Sequence, residues 1–238
     1  MNSPRLGSRT HNEFPLDESE PMAEFTLYGF SESGNSYKPA LMLELCKADW
    51  EIRRVAYFAG ETRQPEYREI NVMGEAPVLV HHKEGMEETF SQSGVILLYL
   101  ARYFKKFAPK GEAEEYEVMR WILFDNHKLT SYTATLRFLR TLAGKPDDPA
   151  VPFLEGRALG AFKVLDTHLN GRDWVAAPRP TIADLSLCGY LFWPDEIGVD
   201  WNDYPNIRDW LDRIKLLPGW KMPEALMPSG RNPETAVA

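Results

Sequence analysis

The chain has 238 residues, 44% hydrophobic, 12% aromatic and 26% charged, an ordinary balance for a chain long enough to bury a sizeable core. With 27 Lys and Arg against 35 Asp and Glu, the formal charge is −8, the wrong sign for a surface that displaces counterions from nucleic-acid phosphates. No apolar run approaches the roughly 20 residues that cross a bilayer, so neither a nucleic-acid module nor a membrane protein is expected.

Residues 1–23 are polar, carry three prolines and show no periodicity, which predicts a disordered N-terminal extension. No apolar stretch follows Arg5 and Arg9, so a secretory signal is not expected, and Met22 is a second candidate start. Phe25–Tyr28 reads as a short strand, bounded by Gly29 and the loop Ser31-Glu32-Ser33-Gly34-Asn35. A helix follows through Pro39-Ala40-Leu41-Met42-Leu43. Pro39 belongs in a first turn, which predicts a start near residues 35–38. Glu51–Ala56 predicts a second strand, and Pro65–Ile70 a short helix. Pro77–Val80 and Glu87–Phe90, joined by a turn at Lys83-Glu84-Gly85, predict a hairpin. An apolar helix through Val95, Ile96, Leu98 and Tyr103 completes a β-α-β-α-β-β-α order.

Beyond a join at Phe107–Gly111 no strand is predicted. A long helical period runs from Glu112 to Arg140. A second helix buries Leu154, Ala158, Ala161, Phe162, Leu165 and Leu169 and stops at Asn170-Gly171. Thr181-Ile182-Ala183-Asp184 is a capping-box signature, and a last helix spans about residues 206–217. The expected units are therefore 24–106, a linker at 107–111, an all-helical unit over 112–226 and a tail over 227–238.

Cys46 and Cys188 each lie in an apolar helical pattern. Two cysteines without a Cys-x-x-Cys predict small buried hydrophobes in a reducing compartment. None of His11, His81, His82, His127 and His168 has a second ligand at helical spacing, so no metal site is expected.

Three places offer chemistry. Ser31, Ser33, Asn35 and Ser36 cluster where free N–H groups and the positive end of a helix dipole fall, a setting that favours an anion such as a thiolate. No cysteine sits there, so any thiolate belongs to a ligand; ordinary capping by Ser and Asn is the alternative. Ala76-Pro77 opens a strand, and with a cis bond the N–H and C=O of Ala76 turn toward an added backbone; a plain strand start is the alternative. Gln92-Ser93 at a helix start offers donors to a carboxylate, or again simple caps.

The segments LYGFSESGNSYKPAL, ETRQPEY, NVMGEAPVLV and FSQSGVILLYLARYF, in that order, resemble those of the cytosolic glutathione transferases, and the Thr181–Leu185 capping box resembles the signature of that family's helical half. The likeness spans about residues 24 to 225. It implies a thioredoxin-like N-terminal domain followed by an all-helical domain, an α+β/α two-domain fold. It also implies a cytoplasmic enzyme of detoxification that uses glutathione as co-substrate without a metal. Pro77 is then the cis-proline, Ala76 pairs with the cysteinyl backbone of glutathione, and Gln92 and Ser93 hold its γ-glutamyl end. Family members often carry Glu before that serine, so Gln92 departs from the pattern. Arg63 takes the glycyl carboxylate. The activating group is one of Ser33, Asn35 and Ser36, and the absence of Cys from that loop argues against a protein mixed disulfide. Lys38 reads as a solvated helix lysine or a source of positive potential. Trp121, Phe124, Asn126 and Tyr132 are candidate walls for a small-molecule electrophile, or else helix–helix core. A homodimer is implied by the same likeness. Within the family, peroxidase, disulfide reductase and isomerase activities are the rivals; outside it, the rival is a binding protein without turnover.

Overall fold

The computed structural model describes residues 22–231. The N-terminal extension, apart from its last two residues, and the end of the C-terminal tail lie outside the described residues. The chain forms β1 (Phe25–Gly29), α1 (Gly34–Cys46), β2 (Trp50–Arg54), α2 (Pro65–Ile70), β3 (Val78–Lys83), β4 (Met86–Ser91) and α3 (Ser93–Phe104). The sheet order is β2-β1-β3-β4, with β1 and β2 parallel and the other pairs antiparallel. Leu27 on the central strand β1 lies opposite Ile52 on one side and Leu79 on the other.

Ser33 caps α1, its hydroxyl accepting from the Ser36 N–H at 3.1 Å. The helix therefore starts at Gly34, and Pro39 falls past the first turn rather than in it. The missing N–H of Pro39 leaves the Asn35 carbonyl without its helical donor. The distortion is tolerated because α1 is buried along nearly its whole length, packed among the sheet, α3 and the helical part of the chain.

That part comprises α4 (Glu112–Phe124), α5 (Thr130–Arg137), α6 (Val151–Leu169), α7 (Ile182–Leu187), α8 (Pro194–Ile197), α9 (Pro205–Lys215) and α10 (Pro223–Leu226). The predicted 112–140 stretch is one helical run interrupted by two π-helical turns, Asp125–Leu129 and Phe138–Leu142. A π turn adds residues to the spiral and shifts the face that follows. The capping box forms as predicted. The Thr181 hydroxyl accepts from Ala183 N–H at 3.3 Å, and Asp184 answers by accepting from Thr181 N–H at 2.8 Å. Asp184 also accepts from the Val175 N–H and the Trp210 indole, which ties α7 to α9. Among the described residues, no helix is long and apolar enough to cross a membrane.

Two ties join the units. Lys38, reading as a solvated lysine in the sequence, is 0% exposed; its ammonium meets Asp125 at 2.6 Å and the Thr130 hydroxyl at 3.1 Å. Asp125 also accepts from Thr130 and Ser186, so α1 is fastened to α5 and α7 through one carboxylate. The second tie is the stretch 228–231. The Pro228 carbonyl accepts from Ser31 N–H at 2.9 Å, and the Arg54 guanidinium donates to the Ser229 and Arg231 carbonyls. Glu32 accepts from the Ser229 hydroxyl and from Gly230 N–H.

Candidate active site

A cleft of about 610 Å³ opens at the N-terminus of α1, between the sheet-bearing unit and the helical run. One side carries Ser33, Asn35, Arg63, Arg68 and Ala76; the other carries Ala134, Arg137, Phe138, Leu142 and Tyr190.

The capping turn explains the first side. Ser33 Oγ is engaged by Ser36 N–H, and Ser33 C=O accepts from Tyr37 N–H. The N–H groups of Gly34 and Asn35 take no backbone acceptor at the positive end of the helix dipole, and that of Asn35 is turned to the Tyr190 phenol. The Tyr190 phenol faces both the Asn35 N–H and the Ser33 hydroxyl, with Arg137 close enough to lower its pKa; burial nevertheless dominates and raises it, so the phenol stays neutral and can donate. Tyr190 approaches this closely because residue 34 is glycine: a Cβ there would lie 2.4 Å from the tyrosine ring.

Ser36, expected as a third candidate for the thiol, points elsewhere. Its side chain is 0% exposed, lies under Gly29 of β1 and leaves Oγ without a partner. Ser36 follows Ser33 by three positions, but the cap residue lies outside the helical spiral and turns to the cleft while Ser36 turns to the sheet.

The Ala76–Pro77 bond is cis, and neither the N–H nor the C=O of Ala76 is engaged by another backbone group. Pro77 itself is buried behind it. Gln92 adopts a positive φ of 67° at the cap of α3; its amide donates to Glu75 Oε2 at 3.0 Å. Ser93 lies beside Asn35, Oγ to Oδ1 at 3.4 Å, so the three predicted clusters meet along one edge. Arg63 is exposed at the rim, with Arg68 next to it, donating to the Val72 carbonyl.

The wall expected from Trp121, Phe124, Asn126 and Tyr132 is not the wall of this cleft. Trp121 is buried against Phe124 and His168, Tyr132 lies under Arg157, and Asn126 sits beside Gly94 of α3. The lining comes instead from Ala134 to Leu142, further along the same run. The two π turns flank α5, and Phe138 and Leu142 lie at the ends of the second. Sequence reading also missed Arg137 and Tyr190; the arginines at 137 and 140 inside an otherwise uncharged helical run were the one available signal.

Neither cysteine reaches the cleft. Burial pushes the Cys46 thiol up to about 11 and the Cys188 thiol further still. Among the described residues, no group of three or more His, Cys, Asp or Glu is placed to hold a metal.

Comparison with known proteins agrees with this geometry. Residues 23–102 match the family model for the glutathione S-transferase N-terminal domain and residues 127–218 that for its C-terminal domain. Glutathione S-transferase 1 of Schizosaccharomyces pombe is 26% identical over 190 residues, covering 78% of each chain. The disulfide-bond oxidoreductase YfcG of Escherichia coli is 23% identical, covering 79% of this chain and 89% of its own. A crystal structure of a glutathione S-transferase from Xanthobacter autotrophicus superposes with a TM-score of 0.77 at 28% identity, covering 83% of this chain and 96% of that one. With a thioredoxin-like sheet unit, a helical unit and both family models in register, the chain belongs to the glutathione S-transferase family.

Proposed function

We propose that this protein binds glutathione along the edge that joins Ala76, Ser93 and the start of α1, and activates its thiol for attack on a second substrate in the cleft. The supporting observation is the cluster of donors at the cap of α1, where the Gly34 and Asn35 N–H groups lack backbone acceptors and stand beside the hydroxyls of Ser33 and Tyr190. Such donors stabilise the thiolate over the thiol and lower its pKa from the ordinary value of about 8.5. Ala76 pairs with the cysteinyl backbone, Gln92 and Ser93 receive the γ-glutamyl end, and Arg63 takes the glycyl carboxylate. The thiolate then forms a carbon–sulfur bond to the electrophile as the leaving group departs with its electron pair. We take 24–106 as the glutathione-binding unit and 112–226 as the unit bordering the second substrate.

Titration calorimetry with glutathione tests binding, and thiolate absorbance against pH tests activation. Ser33→Ala and Asn35→Ala should each be examined, with at least one raising the bound thiol pKa by about one unit, roughly 1.4 kcal/mol. Unchanged thiolate spectra in both remove the side chains of Ser33 and Asn35 from the activating role, and an unchanged spectrum in Tyr190→Phe as well removes the role itself.

A second reading, glutathione-dependent disulfide reduction, is favoured by the burial of both cysteines together with the relative named as a disulfide-bond oxidoreductase. With no protein thiol at the cleft, two glutathione molecules act in turn. The first displaces one thiolate of the disulfide, the second displaces the other, and glutathione disulfide leaves. Turnover of an aryl halide against that of a small disulfide separates the readings.

We also propose a cytoplasmic homodimer. Val95 and Tyr103 on α3 and Tyr116, Met119 and Leu123 on α4 are exposed apolar side chains on both units, around a groove between the two helices.

A further inference from the structure

We infer that the helical wall of the cleft binds a carboxylate carried by the second substrate, through Arg137; this rests on the glutathione reading for the opposite wall. Arg137 closes α5 and is only 2% exposed. Its Nε donates to Glu196 Oε2 at 2.6 Å and its Nη1 to the Glu32 carbonyl. Its guanidinium carbon stands 3.7 Å from the centroid of the Trp193 ring. These contacts fix the group on three sides. Nη2 has no acceptor among the described residues, and it is not one of the sealed atoms without partners, which are Ser36 Oγ, Thr133 Oγ1 and Trp220 Nε1. Since Arg137 lines the cleft, Nη2 is the nitrogen facing it.

A nearly desolvated guanidinium with an unused donor is a pre-formed anion site, because its orientation is fixed before the ligand arrives. The other charges nearby do not cancel it. Glu196 neutralises the group but leaves its donor open. Glu32 shares the cleft, yet its carboxylate is taken up by the Ser229 hydroxyl and Gly230 N–H, with Arg231 at 3.8 Å. Glu75 is engaged by Gln92 on the far side. Tyr190 is neutral. Phe138, Leu142 and Ala134 supply an apolar surface beside the guanidinium, so the ligand class is a small molecule with an apolar body and a terminal carboxylate.

The test is calorimetry on the intact protein with glutathione, S-(3-carboxypropyl)glutathione and its neutral twin S-(3-carbamoylpropyl)glutathione. The acid should bind about tenfold tighter than the amide, as one hydrogen bond to a charged group implies. Arg137→Gln should erase that ratio. Glu196→Gln, which keeps an acceptor for Nε but removes the compensating charge, should enlarge it. Equal binding of acid and amide, with glutathione still bound, overturns the inference and leaves the glutathione reading standing. Failure of all three ligands to bind removes both. A ratio that survives in Arg137→Gln also overturns the inference, as would an unchanged ratio in Glu196→Gln should the arginine variant not fold.

Discussion

Lys38 carries its charge into a place without water, and Asp125 is the reason it stays there. Two desolvated ions repay their lost hydration only through close geometry and additional hydrogen bonds, which Thr130 and Ser186 supply here. Lys38→Met strands the Asp125 carboxylate and should lower stability by about 3–5 kcal/mol in denaturant unfolding. The double variant Lys38→Met with Asp125→Leu should recover most of that loss; if it does not, the pair is more than a mutual neutraliser. Nothing local in the sequence announces this partnership, since the two residues are 87 positions apart. Capping is different in kind. Ser33 and Asn35 could be placed at the cleft because a hydroxyl before a helix acts on groups two or three residues away. Arg63 was implied only by the family resemblance, whereas Ala76 was accessible for a similar reason, through the proline that follows it. Arg137 and Tyr190 were not, because their roles depend on the tertiary approach of α5 and of the segment after α7 to α1.

Among the elements, the strands and most helices follow from period and punctuation: alternating apolar residues before glycine, a turn between two short strands, a capping box before α7. The phase of the long α4–α5 run does not. Its apolar repeat continues through both π turns, so the pattern that predicts a helix says nothing about the residues added to the spiral, and Trp121 to Tyr132 fall earlier along it than the residues that line the cleft. The ends of elements also carry measurable electrostatics. The Arg179 guanidinium, hydrogen-bonding to Glu114 in the first turn of α4, holds that carboxyl down at about 2, below the usual 4.5. A depressed carboxylate stabilises the fold above its unfolded pKa and loses that contribution as pH falls through the folded value. Glu114→Gln should therefore lower the thermal midpoint at neutral pH. The gap to the parent should close between about pH 4.5 and 2. A gap that persists at pH 2 points to lost packing instead of charge.

For the whole molecule, the two-unit order was readable because the strand-bearing stretch and the helical stretch differ in period, with a break between the end of α3 at Phe104 and the start of α4 at Glu112. Association is the next level. If α3 and α4 of two copies cover each other, Met119→Glu places a charge in the middle of that apolar surface and should shift the light-scattering mass from twice the monomer to the monomer. A parent protein already monomeric at assay concentration would dismiss the dimer. The stretch 228–231 adds a practical point. Because Ser229 and Gly230 grip Glu32, only a residue away from the cap of α1, and Arg231 donates to the Leu142 carbonyl at the cleft rim, removing residues 228–231 would release the loop that carries the proposed thiol site. Glutathione affinities from a chain shortened at that point would report the loosened loop along with the site, and the 238-residue chain is the sounder reagent.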